Sequence, residues 1–204
     1  MIELPPEAWE ALRLSLKVSI VATVLSLPVA IWVAHILARG RFRGRGLLDA
    51  LVHLPLVLPP VVTGYALLLL FSRSGPLGAV LEPLGLGLAF RWTGAALAAA
   101  IMGFPLIVRA IRLAFEAVDP RLEEAGATLG FAKAFGEFGA TITFVASIPG
   151  ETRTLPSAIY AFLQVPDGGA GLRGLVAIAV VVAVGAVLVS NWLAPRIAAR
   201  VAGR

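Results

Sequence analysis

Cysteine is absent from the 204 residues. That removes a disulfide framework, a thiolate metal site and a cysteine nucleophile together. Histidine is almost absent. His35 and His53 stand alone, without an HExxH pair or any other metal-ligand spacing. Lysine occurs only as Lys17 and Lys133, preceded by Leu16 and Ala132. A phosphate-binding P-loop needs glycine directly before its lysine, because glycine-rich backbone amides cradle the phosphates. The chain has no such loop, so any ATP-driven process must draw on another polypeptide. No Ser/His or paired-Asp constellation emerges either. The sequence reads as a non-enzyme without cofactor or metal. Charged residues make up 14%, against about a quarter in soluble domains.

Apolar residues account for 59% of the chain, with 21 Gly and 14 Pro. A soluble domain of this size cannot cover so much apolar surface with so few charges. Disorder needs low hydrophobicity and high net charge. The remaining class is an all-α polytopic membrane helix bundle of about five spans, each of about 20 residues. The formal charge of +5 comes from arginines in short loops between apolar runs, which points to topology control rather than to nucleic acid.

The first run, 16–38, is too long for a signal-peptide core and follows an acidic tail (Glu3, Glu7, Glu10), so it reads as a retained span with Pro28 inside. The second, 47–71, carries Pro55, Pro59 and Pro60, which should bend or interrupt its first half. Residues 72–92 read as a Gly/Pro-rich loop with room for a short interfacial helix. The third run, 93–108, is rich in Ala and Gly, which let helices approach closely in lipid. A fourth, weaker run covers 131–148 and a fifth 175–193. Between these two, Leu155, Ala158, Ile159, Phe162 and Leu163 share one helical face. Thr154 is placed as N-cap and Pro156 in the first turn.

Loops 39–46 and 109–121 and the tail 196–204 carry ten basic residues, against six on the other side. The positive-inside rule therefore puts the N-terminus out and the C-terminus in. The cluster Arg39, Arg41, Arg43 and Arg45 reads first as a topology determinant and second as a site for anionic lipid. His35 reads as an interfacial residue. His53 reads as bonding a backbone carbonyl freed by proline.

Residues 116–130 are polar. Asp119-Pro120 signals a helix start, and Glu123 and Glu124 suit its N-terminal turn. Pattern alone leaves two readings, a solvated loop helix or a docking helix for a cytosolic partner. Glu137 is an acid inside the fourth run. At mid-membrane it costs about 2.5–3.5 kcal/mol, so it should face protein or water. Lys133, Glu137 and Thr141 fall at i, i+4 and i+8 on one helix face. The alternatives are a polar pathway or gate, and a structural Lys133–Glu137 pair or helix cap.

At these residues a family resemblance enters. LEEAGATLG (122–130) resembles the start of the EAA motif of ABC importer membrane subunits, E-A-A-x-x-x-G followed nine residues later by I-x-L-P. Glu124, Ala125, Gly126 and Gly130 take those places, with Glu123 beside them. GEFGATITFVASIPGETRTLPSAIYAFLQVP (136–166) closely resembles the molybdate importer permeases, and 54–78 is similar to their second-span region. Sulfate and tungstate permeases are close relatives of these.

The resemblance implies one transmembrane permease domain over 1–204 in a bacterial or archaeal cytoplasmic membrane, with an EAA segment near 116–130. It implies a homodimeric pore in lipid. A separate cytoplasmic ATP-binding cassette subunit would dock on that segment. A periplasmic or lipid-anchored protein would deliver the oxyanion. Thr141, Thr143 and Ser147, with Glu137, are the pathway candidates. The chain departs from the pattern after Gly130. The I-x-L-P positions hold Ala140, Ile142 and Thr143. Roughly 25–30 residues are missing there, a coupling-helix end and about half a span. The rivals are a coupling-defective or non-transporting remnant, a sulfate or tungstate permease, and an ion-coupled carrier using Glu137.

Overall fold

A computed structural model describes residues 6–117, 121–164, 171–185 and 188. Among them the chain is helical, without strands. The first helix, α1 (Pro6–Arg39), is continuous through Pro28. At 34 residues it is about 51 Å long, so it outreaches a hydrocarbon core of about 30 Å. Its first turns, with Glu7 and Glu10, extend the span that the sequence starts at Leu16.

The second apolar run is broken, as its prolines require. Helix α2 (Arg45–Val57) and helix α3 (Pro60–Phe71) meet at an angle of 109°. Pro59 and Pro60 have no amide hydrogen to continue the ladder, and Leu58 before them is pushed to extended backbone. The loop beyond holds a single helical turn, α4 (Gly78–Leu81), and a 3-10 turn at Glu82–Leu84.

Helix α5 (Trp92–Ala117) is the centre of the bundle. It packs along α1 and along α6 (Arg121–Phe135), and also meets α2 and the seven-residue α7 (Gly139–Val145). Val18 and Ala22 of α1 share a core with Ala95, Ala98, Ala99 and Met102 of α5, and Ala30, Val33 and Leu37 share one with Ile107, Val108 and Ile111. The pairing advances in step, so α1 and α5 run parallel. In the first of these cores most of the α5 residues are alanine, and in lipid such close van der Waals packing replaces the hydrophobic drive.

Helix α8 (Leu155–Leu163) lays Leu155 and Ala158 on Ala8 and Ala11 of α1, the face expected from its periodicity. Thr154 holds the N-cap position and Pro156 the first turn, but the Thr154 side chain makes no cap bond. Instead the Leu155 amide donates to Ser15 Oγ of α1. Helix α9 (Gly171–Gly185) is apolar and 15 residues long in its described part. The rest of the fifth run and the basic tail lie outside the described residues.

Among the described residues two helices, α1 and α5, are long and apolar enough to cross a membrane, and the bent pair α2–α3 makes a third candidate. The fourth run is not one span. It is divided among the end of α6, a turn at 136–138, and α7. The i, i+4, i+8 face expected of Lys133, Glu137 and Thr141 does not exist as a continuous helix, because the helix stops at Phe135.

Candidate functional site

The turn between α6 and α7 is built around Glu137, which is 2% exposed. Its Oε2 lies 3.1 Å from Lys133 Nζ, and its Oε1 accepts the Ala140 amide at 2.9 Å. The N-cap residue of α7, Phe138, has no side chain to cap with, and Glu137 supplies the cap from one residue before it. A carboxylate there satisfies an orphan amide and the positive helix end together. Lys133, with its side chain 34% exposed, reaches toward solvent or headgroups while neutralising the buried acid. Both alternatives on the structural side of the sequence reading, pair and cap, are present in one arrangement.

Helix α7 is pressed onto α3 where the broken span restarts. A Cβ on Gly139 would lie 2.7 Å from Pro60 Cβ, and one on Gly64 would lie 2.5 Å from the Ala140 carbonyl oxygen and 2.8 Å from Thr143 Cβ. Only glycine allows this approach. Thr141 is buried. The Thr143 hydroxyl donates to the Gly139 carbonyl at 2.8 Å. Thr63 of α3, 8% exposed, has a buried hydroxyl with no partner. Ser147 lies past the end of α7, and its hydroxyl is also buried without a partner. The structure therefore brings Glu137, Thr141 and Thr143 onto one short helix and its cap. It leaves Ser147 on the following loop, which turns at Ala146 with φ 61°. Thr63 escaped the sequence reading. Its signal was position alone, one turn into the helix after Pro59-Pro60.

The EAA-like segment forms the helix α6. The start signal Asp119-Pro120 lies outside the described residues, as do the side chains of Glu123, Glu124, Ala125 and Gly126. Gly130 is described and buried. A Cβ there would lie 2.2 Å from Ile107 Cγ1, and a Cβ on Gly103 would lie 3.0 Å from the Gly130 carbonyl oxygen. Gly103 and Gly130 thus form the close crossing of α5 and α6, and Gly130 sits inside the bundle.

No protein-family model matches the chain. Curated proteins do. It is 49% identical, over the full length of both chains, to the molybdenum transport system permease protein ModB of Escherichia coli K12. The protein of that name from Haemophilus influenzae is 43% identical over 91% of this chain and 93% of its own. The chain belongs to the molybdenum transport permease family. The permease is therefore a multi-pass protein of the bacterial inner membrane, with a polytopic all-α fold. The sulfate transport system permease protein CysT of Salmonella typhimurium is a more distant relative, 32% identical over 78% of this chain and 67% of its own.

The alignment with the Escherichia coli relative runs over 231 positions, 27 more than the 204 residues of this permease. At least that many positions therefore have no counterpart here. The Haemophilus alignment shows a similar excess, with 213 positions for 91% of the chain.

The permease also holds a polar cluster that its sequence did not announce. At the C-terminal ends of α1 and α5, Arg112 bonds Asp49 of α2 at 2.9 Å and Glu116 at 2.8 Å. Only the Arg112–Glu116 spacing was legible. His35 stands edge-on to Phe115 there, with ring centroids 5.5 Å apart. His53 Nδ1 lies 2.9 Å from the Asp49 carbonyl oxygen. It does bond a backbone carbonyl, but Pro55 frees that of Leu51, four residues before it. The basic loop after α1 and the Arg109–Glu116 stretch thus lie at one end of the bundle. Arg73, Glu82, Arg91 and Glu151 line a common cavity at the other.

Proposed function

We propose that this permease is the membrane subunit of an ATP-driven molybdate importer, working as a homodimer. A separate ATP-binding cassette subunit docks at the α6 end, and an oxyanion-binding protein delivers from the opposite face. The observation that carries this reading is the 49% identity across the whole of both chains with a molybdenum transport permease. The missing P-loop supports a separate motor. The gathering of the two basic loops at one end supports a cytoplasmic placement for that end. With the N-terminus outside, parallel α1 and α5 both run inward, and the α2–α3 pair crosses once between them.

The oxyanion path follows the α3–α7 contact. Thr63, Thr141 and Thr143 offer hydroxyls there, with Ser147 following on the loop past α7, next to a span broken at mid-course, the arrangement by which transporters expose helix ends to ions. Glu137 acts as the cap and counter-ion that sets where α7 begins. The test is molybdate uptake in a cell lacking its own permease but retaining the ATPase and the binding protein. Uptake restored by this chain supports the reading.

A second reading is favoured by one specific observation. Gly130, the last residue of the EAA-like motif, is packed against Ile107 inside the bundle, and 27 alignment positions lack counterparts. If those positions fall after Gly130, the docking helix is shortened and nucleotide-driven motion reaches the membrane weakly. This chain would then be coupling-defective. Restoring the relative's segment after Gly130 would rescue uptake that the chain alone fails to give. Failure of both versions would count against the importer reading.

A further inference from the structure

Two cavities meet at the N-terminal end of α5. The larger, of about 810 Å³, is a groove between α1, α2 and α5, walled by side chains such as Leu25, Val29, Leu51 and Leu97. The smaller, of about 540 Å³, holds Arg91 and Glu151 beside the Gly85–Leu88 backbone. The two share Leu88, Trp92 and Thr93. Lys17 stands at this junction with its Nζ 3.5 Å from the Trp92 ring centroid. An apolar slot therefore opens into a polar annex, with two exposed cations and one exposed carboxylate at the mouth. Glu151 has no ion-pair partner among the described residues.

The dimensions suit an acyl chain. The groove follows α1 from Val21 to Val33, about 18 Å at 1.5 Å per residue. Half of a hydrocarbon core is about 15 Å, so the slot matches one leaflet. An acyl chain is slim enough to lie in it. The charges at the mouth fit a zwitterionic head group, and the exposed carboxylate favours ethanolamine, whose ammonium donates N–H bonds that choline lacks. Lys17 and Arg91 suit a phosphate, and Glu151 suits a cation beyond it. Trp92, which lines both cavities, is a residue type that settles between tails and head groups.

We propose that the groove and its annex form a site for one phospholipid with an ethanolamine head group. The acyl chain lies between α1, α2 and α5. The phosphate lies at Lys17 and Arg91, and the ammonium at Glu151.

The test uses the full chain in nanodiscs of equal parts ethanolamine, choline and glycerol phospholipids with identical tails. The chain is then transferred to mild detergent, and retained lipids are counted by native mass spectrometry. About one ethanolamine lipid per chain is expected, enriched about fivefold over choline lipid of equal charge, the effect of an N–H bond to Glu151 that only a primary ammonium can donate. Glu151→Gln should bring that ratio near one while total retention holds. Lys17→Ala should lower total retention about fivefold. Ala100→Trp, which fills the groove, should abolish retention. The two polar variants alter exposed side chains, so they keep the test decisive should the Trp variant misfold. Equal retention of the three lipids by the unaltered chain overturns the proposal, as does preferred retention of glycerol lipid or an undiminished preference in Glu151→Gln. The chain has no cysteine of its own, so Leu25→Cys reports on the rival occupant. Efficient disulfide pairing of two copies through it would show a second chain on the groove and overturn the lipid site.

Discussion

Replacing Glu137 tests the structural heart of the α6–α7 turn. Glu137→Ala removes the partner of Lys133 and the oxygen that accepts the Ala140 amide. Breaking a fully buried ion pair costs about 3–5 kcal/mol. Here the lysine side chain is a third exposed, so it regains solvent or headgroups, and the charge share falls to about 1–2 kcal/mol. The lost cap adds about 1 kcal/mol. The expected total for Glu137→Ala is about 2–3 kcal/mol. Glu137→Gln keeps an acceptor for the amide and should cost about 1–2 kcal/mol. The double variant Lys133→Met/Glu137→Gln removes both charges and should fall below the sum of its single variants by at least about 0.5 kcal/mol. Reversible unfolding in mixed micelles measures all four. A Glu137→Ala cost under about 0.5 kcal/mol, or full additivity in the double variant, would refute the pair-and-cap account.

Three further outcomes follow from the packing. Gly130→Ala places a methyl into Ile107 and should cost about 1–3 kcal/mol, partly recovered by Ile107→Ala in the same chain, by the same unfolding assay. Gly64→Ala meets the Ala140 backbone rather than a side-chain tip, so it should part α3 from α7 and cost at least as much, with no single side-chain deletion restoring it. Thr63→Val removes a hydroxyl that has no partner. It should leave stability unchanged or slightly raised while lowering molybdate uptake, and unchanged uptake would remove Thr63 from the path.

The long helices were legible because unbroken apolar runs of about 20 residues leave the chain few alternatives in lipid. The bend between α2 and α3 was legible from Pro59 and Pro60, which lack the amide hydrogen. Pro28 and Pro105 lack it equally, yet both stay inside continuous helices. Neighbouring helices decide that outcome, and they are invisible in the sequence. The fourth run was misread because Gly136 and the Glu137 cap divide it, and hydropathy does not register a cap. The α8 face and its first turn were read correctly, whereas the oxygen that caps it belongs to Ser15, 140 residues away. Among the site residues, the Lys133–Glu137 pair was legible from its spacing, but the continuous face that was to carry Thr141 with it is broken at Phe135. The seat of Gly130 against Ile107 depends on the α5–α6 crossing, which no local pattern encodes.

On the proposed reading, this permease moves molybdate only with power drawn from a separate ATPase. The most direct test is molybdate accumulation in proteoliposomes, for this chain and for the version with the relative's segment restored after Gly130. Each is assayed alone and together with the ATPase subunit, the binding protein and ATP. Accumulation is expected only with the full set. Accumulation by the chain alone under a proton or sodium gradient would contradict the account.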